Sequence, residues 1–173
     1  EHPVLRRLLI ARHAHARSNV DDYVSSTPPG EGLSEPGVAE ALALRERLID
    51  ERVDLGVSTR LVRTQETLVI ALGERDVPRI VLPELDEIGF GAYEGGPLAD
   101  YRAWAWSTEP DVLHPGRGES RAQVAERIAG ALDALLARAE DVVLAVSHAL
   151  PVRYVLDASD GSFPAARIGH VPH

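Results

Sequence analysis

The amino-acid sequence predicts an α/β fold: a single three-layer α/β/α domain with a largely parallel central sheet. Short apolar runs of strand length alternate along the chain with segments in which apolar residues recur at helical spacing. The chain has 173 residues, of which 45% are hydrophobic and 26% charged, enough for one domain with its own core. We therefore expect one domain over residues 1–173.

Four short apolar runs predict the strands, at residues 8–11, 55–57, 80–82 and 142–146. The first and last are uninterrupted apolar runs, which is typical of strands that are buried on both faces of a parallel sheet. Because helical segments separate the runs, we expect the strands to pair in parallel through helical crossovers.

Three segments predict helices. Ser34 is suited to cap a helix that has a proline in its first turn. Ser120 and Gln123 have the spacing of a capping box, and an apolar stripe follows them. A further helix is predicted over residues 60–72, with Thr59 as its N-cap.

Residues 83–118 interrupt this alternation. They contain many of the glycine and proline residues and most of the aromatic residues. An irregular insertion of this kind more often serves as a functional loop than as filler. We therefore expect a lid or substrate-facing loop here, within the single domain.

The composition argues against several classes of protein. A net charge of −9 disfavours general nucleic-acid binding, because the phosphate backbone would be repelled. No apolar run approaches the roughly 20 residues of a membrane helix. The absence of cysteine removes disulfides and thiolate chemistry. We predict a cytoplasmic protein without nucleic-acid or membrane partners, whereas the oligomeric state is not predicted.

Groups suited to phosphate binding follow three of the predicted strands. Arg12 and His13 follow the first strand, the second strand leads into a helix that carries Arg63, and another strand ends at His148. Open α/β sheets bind ligands beyond the carboxyl ends of their strands. The sequence therefore predicts that these four side chains converge on one anionic ligand.

Each of these residue types has a task in phosphoryl transfer. A neutral imidazole is a competent nucleophile near neutral pH, which suits His13. Arginine binds phosphate oxygens with a planar fork and stays charged, so that Arg12 and Arg63, with a second histidine, could replace a metal. The leaving oxygen needs a proton donor, and the insertion opens with four candidate acids. They are Glu84, Asp86, Glu87 and Glu94.

Several segments together resemble the histidine phosphatase superfamily, which includes the phosphoglycerate mutases. In chain order the matching segments are residues 9–14, 33–37, 59–67, 85–95, 118–120 and 146–148. The first resembles the family's Arg-His-Gly signature, and Asn19 lies where the family has an asparagine in the same loop. The fourth resembles its Leu-x-Glu and Gly-x-Trp-Glu-Gly segments. The resemblance runs over residues 8–157 and depends on the order and spacing of the segments.

The resemblance implies a phosphoglycerate mutase-like fold. It also implies a metal-independent phosphomonoester hydrolase that works through a phosphohistidine on His13, acts on a small phosphate ester and needs no cofactor. Among the four acids it selects Glu87 to protonate the leaving alcohol and later to help deprotonate water. The implied phosphate-binding residues are Arg12, Asn19, Arg63 and His148.

The sequence departs from the family pattern after both catalytic histidines, where Ala14 and Ala149 replace the usual glycine. If close approach to phosphate requires glycine there, the added methyl groups would narrow the pocket. A phosphate-ester-binding pseudoenzyme is therefore one alternative function. A phosphoglycerate mutase-type phosphoryl transfer is a second, because it uses the same residues.

A third alternative is a metal-dependent hydrolase. His13 and His15 would place two imidazoles on one side of a strand end, and His114, His148 or His170 could supply further ligands. This hypothesis leaves both candidate phosphate-binding arginines without a role. The sequence therefore favours the metal-independent interpretation.

Overall fold

A four-stranded sheet forms the centre of the protein, for which a computed structural model describes residue 5 and residues 7–160. The strands are β1 (Arg7–Arg12), β2 (Leu55–Ser58), β3 (Arg79–Val81) and β4 (Val142–Ser147). They pair in the order β1-β4-β2-β3, and every pairing is parallel. The predicted strands and their parallel arrangement are thus confirmed.

Helices connect these strands. They are α1 (Arg17–Val20), α2 (Glu35–Arg47), α3 (Val62–Leu72), α4 (Leu98–Ser107), α5 (Arg121–Leu136) and α6 (Ala149–Asp160), with 3-10 turns at Pro83–Leu85 and Gly91–Tyr93. The cap of α2 is Ser34, whose hydroxyl accepts from the Gly37 N–H. At the start of α5, Ser120 and Gln123 form the predicted capping box. No helix within the described residues is long and apolar enough to cross a membrane.

The helices cover both faces of the sheet. In β4, Val143 and Ala145 pack in a core cluster with residues of α5 and α6, whereas Leu144 and Val146 pack in a second cluster with residues of α3. Successive side chains of a strand point to opposite faces, so the two clusters lie on opposite sides of the sheet. The predicted three-layer architecture is therefore confirmed.

The predicted N-cap of the third helix is wrong. The helix α3 begins at Val62, and the position of its N-cap is held by Leu61, without a side-chain cap. The Thr59 hydroxyl makes only a 3.3 Å contact with the Leu61 N–H. Its shorter contacts are with Thr64 and His148, which place Thr59 in the candidate site described below.

Two parts of the chain are more regular than the sequence predicted. The helix α6 directly follows the end of β4, and Pro151 in its first turn is a helix-start signal that the sequence reasoning missed. Within residues 83–118, both 3-10 turns and the ten-residue α4 replace the expected irregular chain. Phe90 and Tyr101 from this segment lie in the same core cluster as α5 and α6. Part of the segment is therefore packed into the core, while Trp106, Val112 and Leu113 are exposed.

Gly37→Ala should destabilise the protein, because an added Cβ would lie 1.9 Å from the carbonyl oxygen of His15. Since the obstacle is backbone, relief requires moving the loop after β1, and we expect a loss of about 1–3 kcal/mol in the free energy of unfolding. Gly130→Ala in α5 is the matched control, since nothing lies within 4 Å of its added Cβ. It should be neutral or stabilise by up to about 1 kcal/mol. Unfolding in denaturant measures both variants, and an equal loss of unfolding free energy in the two would contradict this explanation.

Candidate active site

The carboxyl ends of β1, β4 and β2 lie side by side, because these strands are neighbours in the sheet. Arg12 is paired with Ser147 in the register of β1 and β4. The next residue, His13, donates its backbone N–H to the Ser147 carbonyl at 2.8 Å. His148 follows β4, and Thr59 follows β2. The sheet therefore brings the three predicted strand ends together.

A cavity of about 270 Å³ opens beside His13. Most of the predicted site residues line it: Arg12, His13, Asn19, Arg63 and Glu87. The Oδ1 atom of Asn19 accepts from the Ala16 N–H at 2.9 Å, which holds the side chain in the loop after β1. Apolar and aromatic residues form much of the remaining wall. The cavity thus combines a cationic region with an apolar surround.

His13 is held in the tautomer that a nucleophile requires. Its ring is buried, and Nδ1 lies 2.7 Å from the carbonyl oxygen of Ala14. Because a carbonyl oxygen only accepts, Nδ1 carries the proton. Nε2 then has the lone pair and accepts a long hydrogen bond, 3.3 Å, from Nε of Arg63. The imidazole therefore presents Nε2 as its nucleophilic atom.

Arg63, in the first turn of α3, joins the two histidines. Its Nη2 donates to the Ser25 carbonyl at 2.7 Å and to Nδ1 of His148 at 3.3 Å, in addition to the bond from Nε to His13. Burial lowers its pKa, while the Glu87 carboxylate raises it, and an arginine remains cationic in either case. No acceptor among the described residues bonds to its buried Nη1. Because Arg63 also lines the cavity, its guanidinium places positive charge beside any anion that binds there.

A chain of hydroxyl groups fixes the tautomer of His148. The Thr64 hydroxyl donates to the Leu61 carbonyl at 2.8 Å, so it accepts from the Thr59 hydroxyl at 2.9 Å. The Thr59 hydroxyl, having used its proton, accepts from Nε2 of His148 at 3.0 Å. Nδ1 of His148 is consequently the acceptor for Arg63. Burial lowers the pKa of this imidazole well below its ordinary value, so the ring is neutral near neutral pH.

His148 lies behind the wall of the cavity. Its side chain is fully buried, and its ring centroid is 5.3 Å from that of His13. Its contact toward the site is with Arg63. The predicted direct contact with a phosphoryl group would therefore require protonation of Nδ1 and release of its bond to Arg63.

Glu87 is the candidate acid that reaches the cavity. The sequence left three other acids open, and of these Glu84 is exposed to solvent. Asp86 accepts two hydrogen bonds from Arg60. Glu94 accepts from the backbone and the hydroxyl of Ser26. Of the four acids, Glu87 alone lines the cavity beside the arginines, whereas the other three are exposed or bonded elsewhere.

Burial raises the pKa of Glu87, although Arg63, Arg12 and Arg127 oppose the shift. Oε1 accepts from the Ile88 N–H at 3.0 Å, and Oε2 lies 3.9 Å from Nδ1 of His148. A carboxyl group with a raised pKa retains its proton closer to neutral pH, as a general acid requires.

The loop that carries Glu87 is fastened at two points that sequence reasoning missed. Arg127 of α5 donates to the backbone carbonyls of residues 84, 86 and 87 and pairs with Glu119. The Ser147 hydroxyl at the end of β4 donates to the Leu85 carbonyl at 2.6 Å. These contacts join segments that are distant in the chain, so that no local sequence signal could reveal them.

The alanines that replace the expected glycines have ordinary backbone conformations. Among the described residues, the only residues other than glycine with a positive φ are Asp22 and Arg117. Ala14 is buried and donates its N–H to the Thr67 hydroxyl at 3.0 Å. Ala149 begins α6 and lines the cavity. These two positions thus accept a methyl group without backbone strain.

The His15 side chain is hydrogen-bonded to the start of α2. The Ser34 hydroxyl donates to the His15 carbonyl at 3.0 Å, so it accepts from Nδ1 of His15 at 2.7 Å. Within the described part of the chain, no three His, Asp or Glu side chains are grouped so as to hold a metal ion. His170, a candidate ligand, lies outside that part. The contacts of His15 therefore do not favour the metal-site hypothesis.

Comparison with known proteins shows the family to which the chain belongs. The family model described as "Histidine phosphatase superfamily (branch 1)" matches residues 8–170. The chain belongs to the histidine phosphatase superfamily. The resemblance drawn from its motifs and the fold expected from them are thereby confirmed.

Named relatives in this family include phosphatases and a mutase. An adenosylcobalamin/alpha-ribazole phosphatase of Salmonella typhimurium is 31% identical, with 95% of this chain and 84% of the relative covered. A 2,3-bisphosphoglycerate-dependent phosphoglycerate mutase of Methylobacterium sp. is 29% identical, with 90% and 81% covered. The crystal structure of the alpha-ribazole phosphatase from Shigella flexneri superposes with a TM-score of 0.78 at 26% identity, covering 87% of this chain and 78% of that one.

Thr59→Val should lower kcat/KM because it leaves Nε2 of His148 without its acceptor. The ring of His148 can then take the other tautomer, in which it no longer accepts from Arg63, and the loss of one hydrogen bond that positions this cation should lower kcat/KM roughly tenfold. The pH profile should also change, because the hydroxyl no longer fixes the tautomer. Kinetics with an aryl phosphate measure both effects.

Thr108→Val is the control, because the hydroxyl of Thr108 donates to the Trp104 carbonyl, in α4. It should leave kcat/KM and the pH profile near those of the parent. A similar loss in both variants would show that the Thr59 hydroxyl has no special role in the site.

Proposed function

We propose that this protein is a metal-independent phosphomonoester hydrolase that works through a phosphohistidine on His13. The observation that carries the proposal is the position of His13 Nε2, an unprotonated imidazole nitrogen beside the Arg63 guanidinium and the cavity. Phosphatases among the relatives, including one named a metal-independent phosphoserine phosphatase of Arabidopsis thaliana, support the same activity.

In the first half-reaction, Nε2 of His13 attacks the phosphorus atom and the bond to the leaving oxygen breaks. Glu87 donates its proton to that oxygen, so the alcohol leaves in neutral form. Arg12 and Arg63 bond the non-bridging oxygens and stabilise their charge. For this Arg63 must move its Nε–H from the nucleophile to the phosphoryl group, and the long 3.3 Å bond makes this exchange inexpensive.

In the second half-reaction, the Glu87 carboxylate takes a proton from a water molecule as the water oxygen attacks phosphorus. The bond between phosphorus and Nε2 breaks, and its electron pair returns to His13. The Ala14 carbonyl keeps the Nδ1 proton in place through both steps, since it can only accept. Phosphate then leaves, and Glu87 is again protonated. Asn19 and His148 complete the proposed phosphate-binding group, the latter through Arg63 in the observed arrangement.

A phosphoglycerate mutase-type transfer is the second candidate, favoured by the mutase among the relatives. It shares the first half-reaction and differs in the acceptor, which is a bound acid instead of water. The ratio of inorganic phosphate to transferred phosphate, measured with 3-phosphoglycerate as acceptor, separates the two. We expect inorganic phosphate to be the main product.

His13→Ala should abolish hydrolysis of an aryl phosphate, and the parent should retain its activity in the presence of a chelator. An acid-labile, base-stable phosphoryl group should be trapped on the parent by rapid quenching and should be missing from the variant. Glu40→Gln, at an acid that bonds the His15 backbone outside the cavity, controls for a general effect of substitution near the site. Activity lost with chelator or kept in His13→Ala would overturn the proposal.

Glu87→Gln should lower kcat on an alkyl phosphate by about 10²–10³-fold, the usual contribution of a general acid. The loss should be smaller with an aryl phosphate, whose leaving group needs less protonation. Because burial raises the pKa of Glu87, the parent should lose activity as pH rises through that pKa, and the variant should lack this alkaline limb. Glu84→Gln, at the exposed acid of the same segment, should resemble the parent. A loss that is independent of the leaving group would argue against the acid role.

A further inference from the structure

The helix α4 has one face in the core and another beside the cavity. Tyr101 and Ala105 are buried in the core cluster. Leu98, Arg102 and Trp106 line the cavity, and their spacing of four residues places them on one stripe of the helix. The stripe therefore forms a wall of the cavity.

Trp106 contributes little to the core, since its side chain is 64% exposed. A large aromatic side chain is costly to leave in water, and single exposed residues of this kind are common on protein surfaces. This one, however, borders the cavity that also holds His13. A ligand bound there can therefore contact the indole.

Other walls of the cavity are also apolar or aromatic. They include Tyr23, Ile88, Phe90 and Leu150. The cavity is lined by Arg12, Arg63 and Arg102. Arg102 is the one cation of the α4 stripe, and after burial, the main cause, it contributes to the lowered pKa of Arg12, so the two arginines are near each other. We assign Arg102 to the part of the cavity that binds the phosphoryl group. The outer wall, which is the part of the cavity away from His13 and includes Trp106, is then left for apolar contacts with the leaving group.

The cavity is small and partly open to solvent. Small-molecule pockets usually measure about 300–1,000 Å³. With about 270 Å³, this cavity suits a phosphoryl group with one compact substituent.

We propose that this cavity selects phosphomonoesters whose leaving alcohol carries a planar ring, and that Trp106 is the specificity-determining residue on which the ring stacks. The proposal rests on the phosphomonoesterase function proposed above. It adds the chemical class of the substrate and a residue outside the phosphate-binding group.

Three esters with unactivated leaving alcohols test the proposal by kcat/KM. They are 3-phenylpropyl phosphate, propyl phosphate and 3-phosphoglycerate. The parent should prefer the phenyl ester to the propyl ester by about tenfold, the size of an aromatic contact of 1–1.5 kcal/mol. It should also prefer the phenyl ester to 3-phosphoglycerate. Equal use of the two alkyl esters, or preference for 3-phosphoglycerate, would overturn the assignment of the outer wall.

Trp106→Ala should remove most of the preference for the ring and leave kcat/KM for propyl phosphate near that of the parent. Trp106→Phe should restore part of it, because the ring face is retained. Leu113→Ala is the control, at an apolar residue that is 56% exposed but is not part of the cavity wall. It should keep the full preference. A preference that survives in Trp106→Ala would show that this residue does not set specificity.

Binding measurements separate this inference from the proposed function. Calorimetry with 3-phenylpropylphosphonate and propylphosphonate requires no turnover, and the same preference of about tenfold is expected in the parent. Binding with this preference but without a phosphohistidine would refute the proposed function and support the ring subsite. Formation of a phosphohistidine without the preference would support the proposed function and refute the ring subsite.

Discussion

A buried guanidinium organises the site, because Arg63 donates to three acceptors that come from separate segments of the chain. A charge removed from water is tolerated only where hydrogen bonds and opposite charge compensate it. Nitrogen lone pairs of His13 and His148 and the Ser25 carbonyl accept its hydrogen bonds, and Glu87 adds an opposite charge once it has given up its proton. Both imidazoles are thereby held with a lone pair toward the cation. An anion bound in the cavity adds the charge compensation that these neutral acceptors lack.

The same arrangement links substrate binding to acid catalysis. Arg12 and Arg63 lower the pKa of Glu87 and burial raises it, so the proton affinity of this carboxyl group depends on the charge around the arginines. A phosphoryl dianion neutralises part of that positive charge. The bound substrate therefore increases the affinity of Glu87 for the proton that the leaving oxygen needs. The loop fastened by Arg127 keeps the carboxyl group in place for this exchange.

Much of the fold could be predicted because its signals are local. Apolar runs and caps such as Ser34 depend on neighbouring residues alone. Because parallel strands end at the same edge of a sheet, His13 and His148 could also be predicted to lie close together. The role of Thr59 could not be predicted, since it follows from hydrogen bonds to Thr64 and to a residue of another strand end. Selecting Glu87 from the four acids by physical reasoning likewise required the tertiary packing of the loop, although the family pattern had already indicated it. The helix α4 was missed because it is short, contains three aromatic residues and directly follows Gly95, Gly96 and Pro97, so the sequence around it resembles an irregular loop.

The central claim is that His13 presents Nε2 as a lone pair because its other nitrogen is committed to the Ala14 carbonyl. Nitrogen-15 NMR of the histidine-labelled protein near neutral pH reads these tautomers directly, with His13→Ala and His148→Gln as assignment variants. The account predicts that His13 is protonated at Nδ1 and His148 at Nε2. Reaction with a phosphate ester should then shift the Nε2 resonance of His13. Protonation of His13 at Nε2, or a shift at Nδ1 instead, would contradict the account.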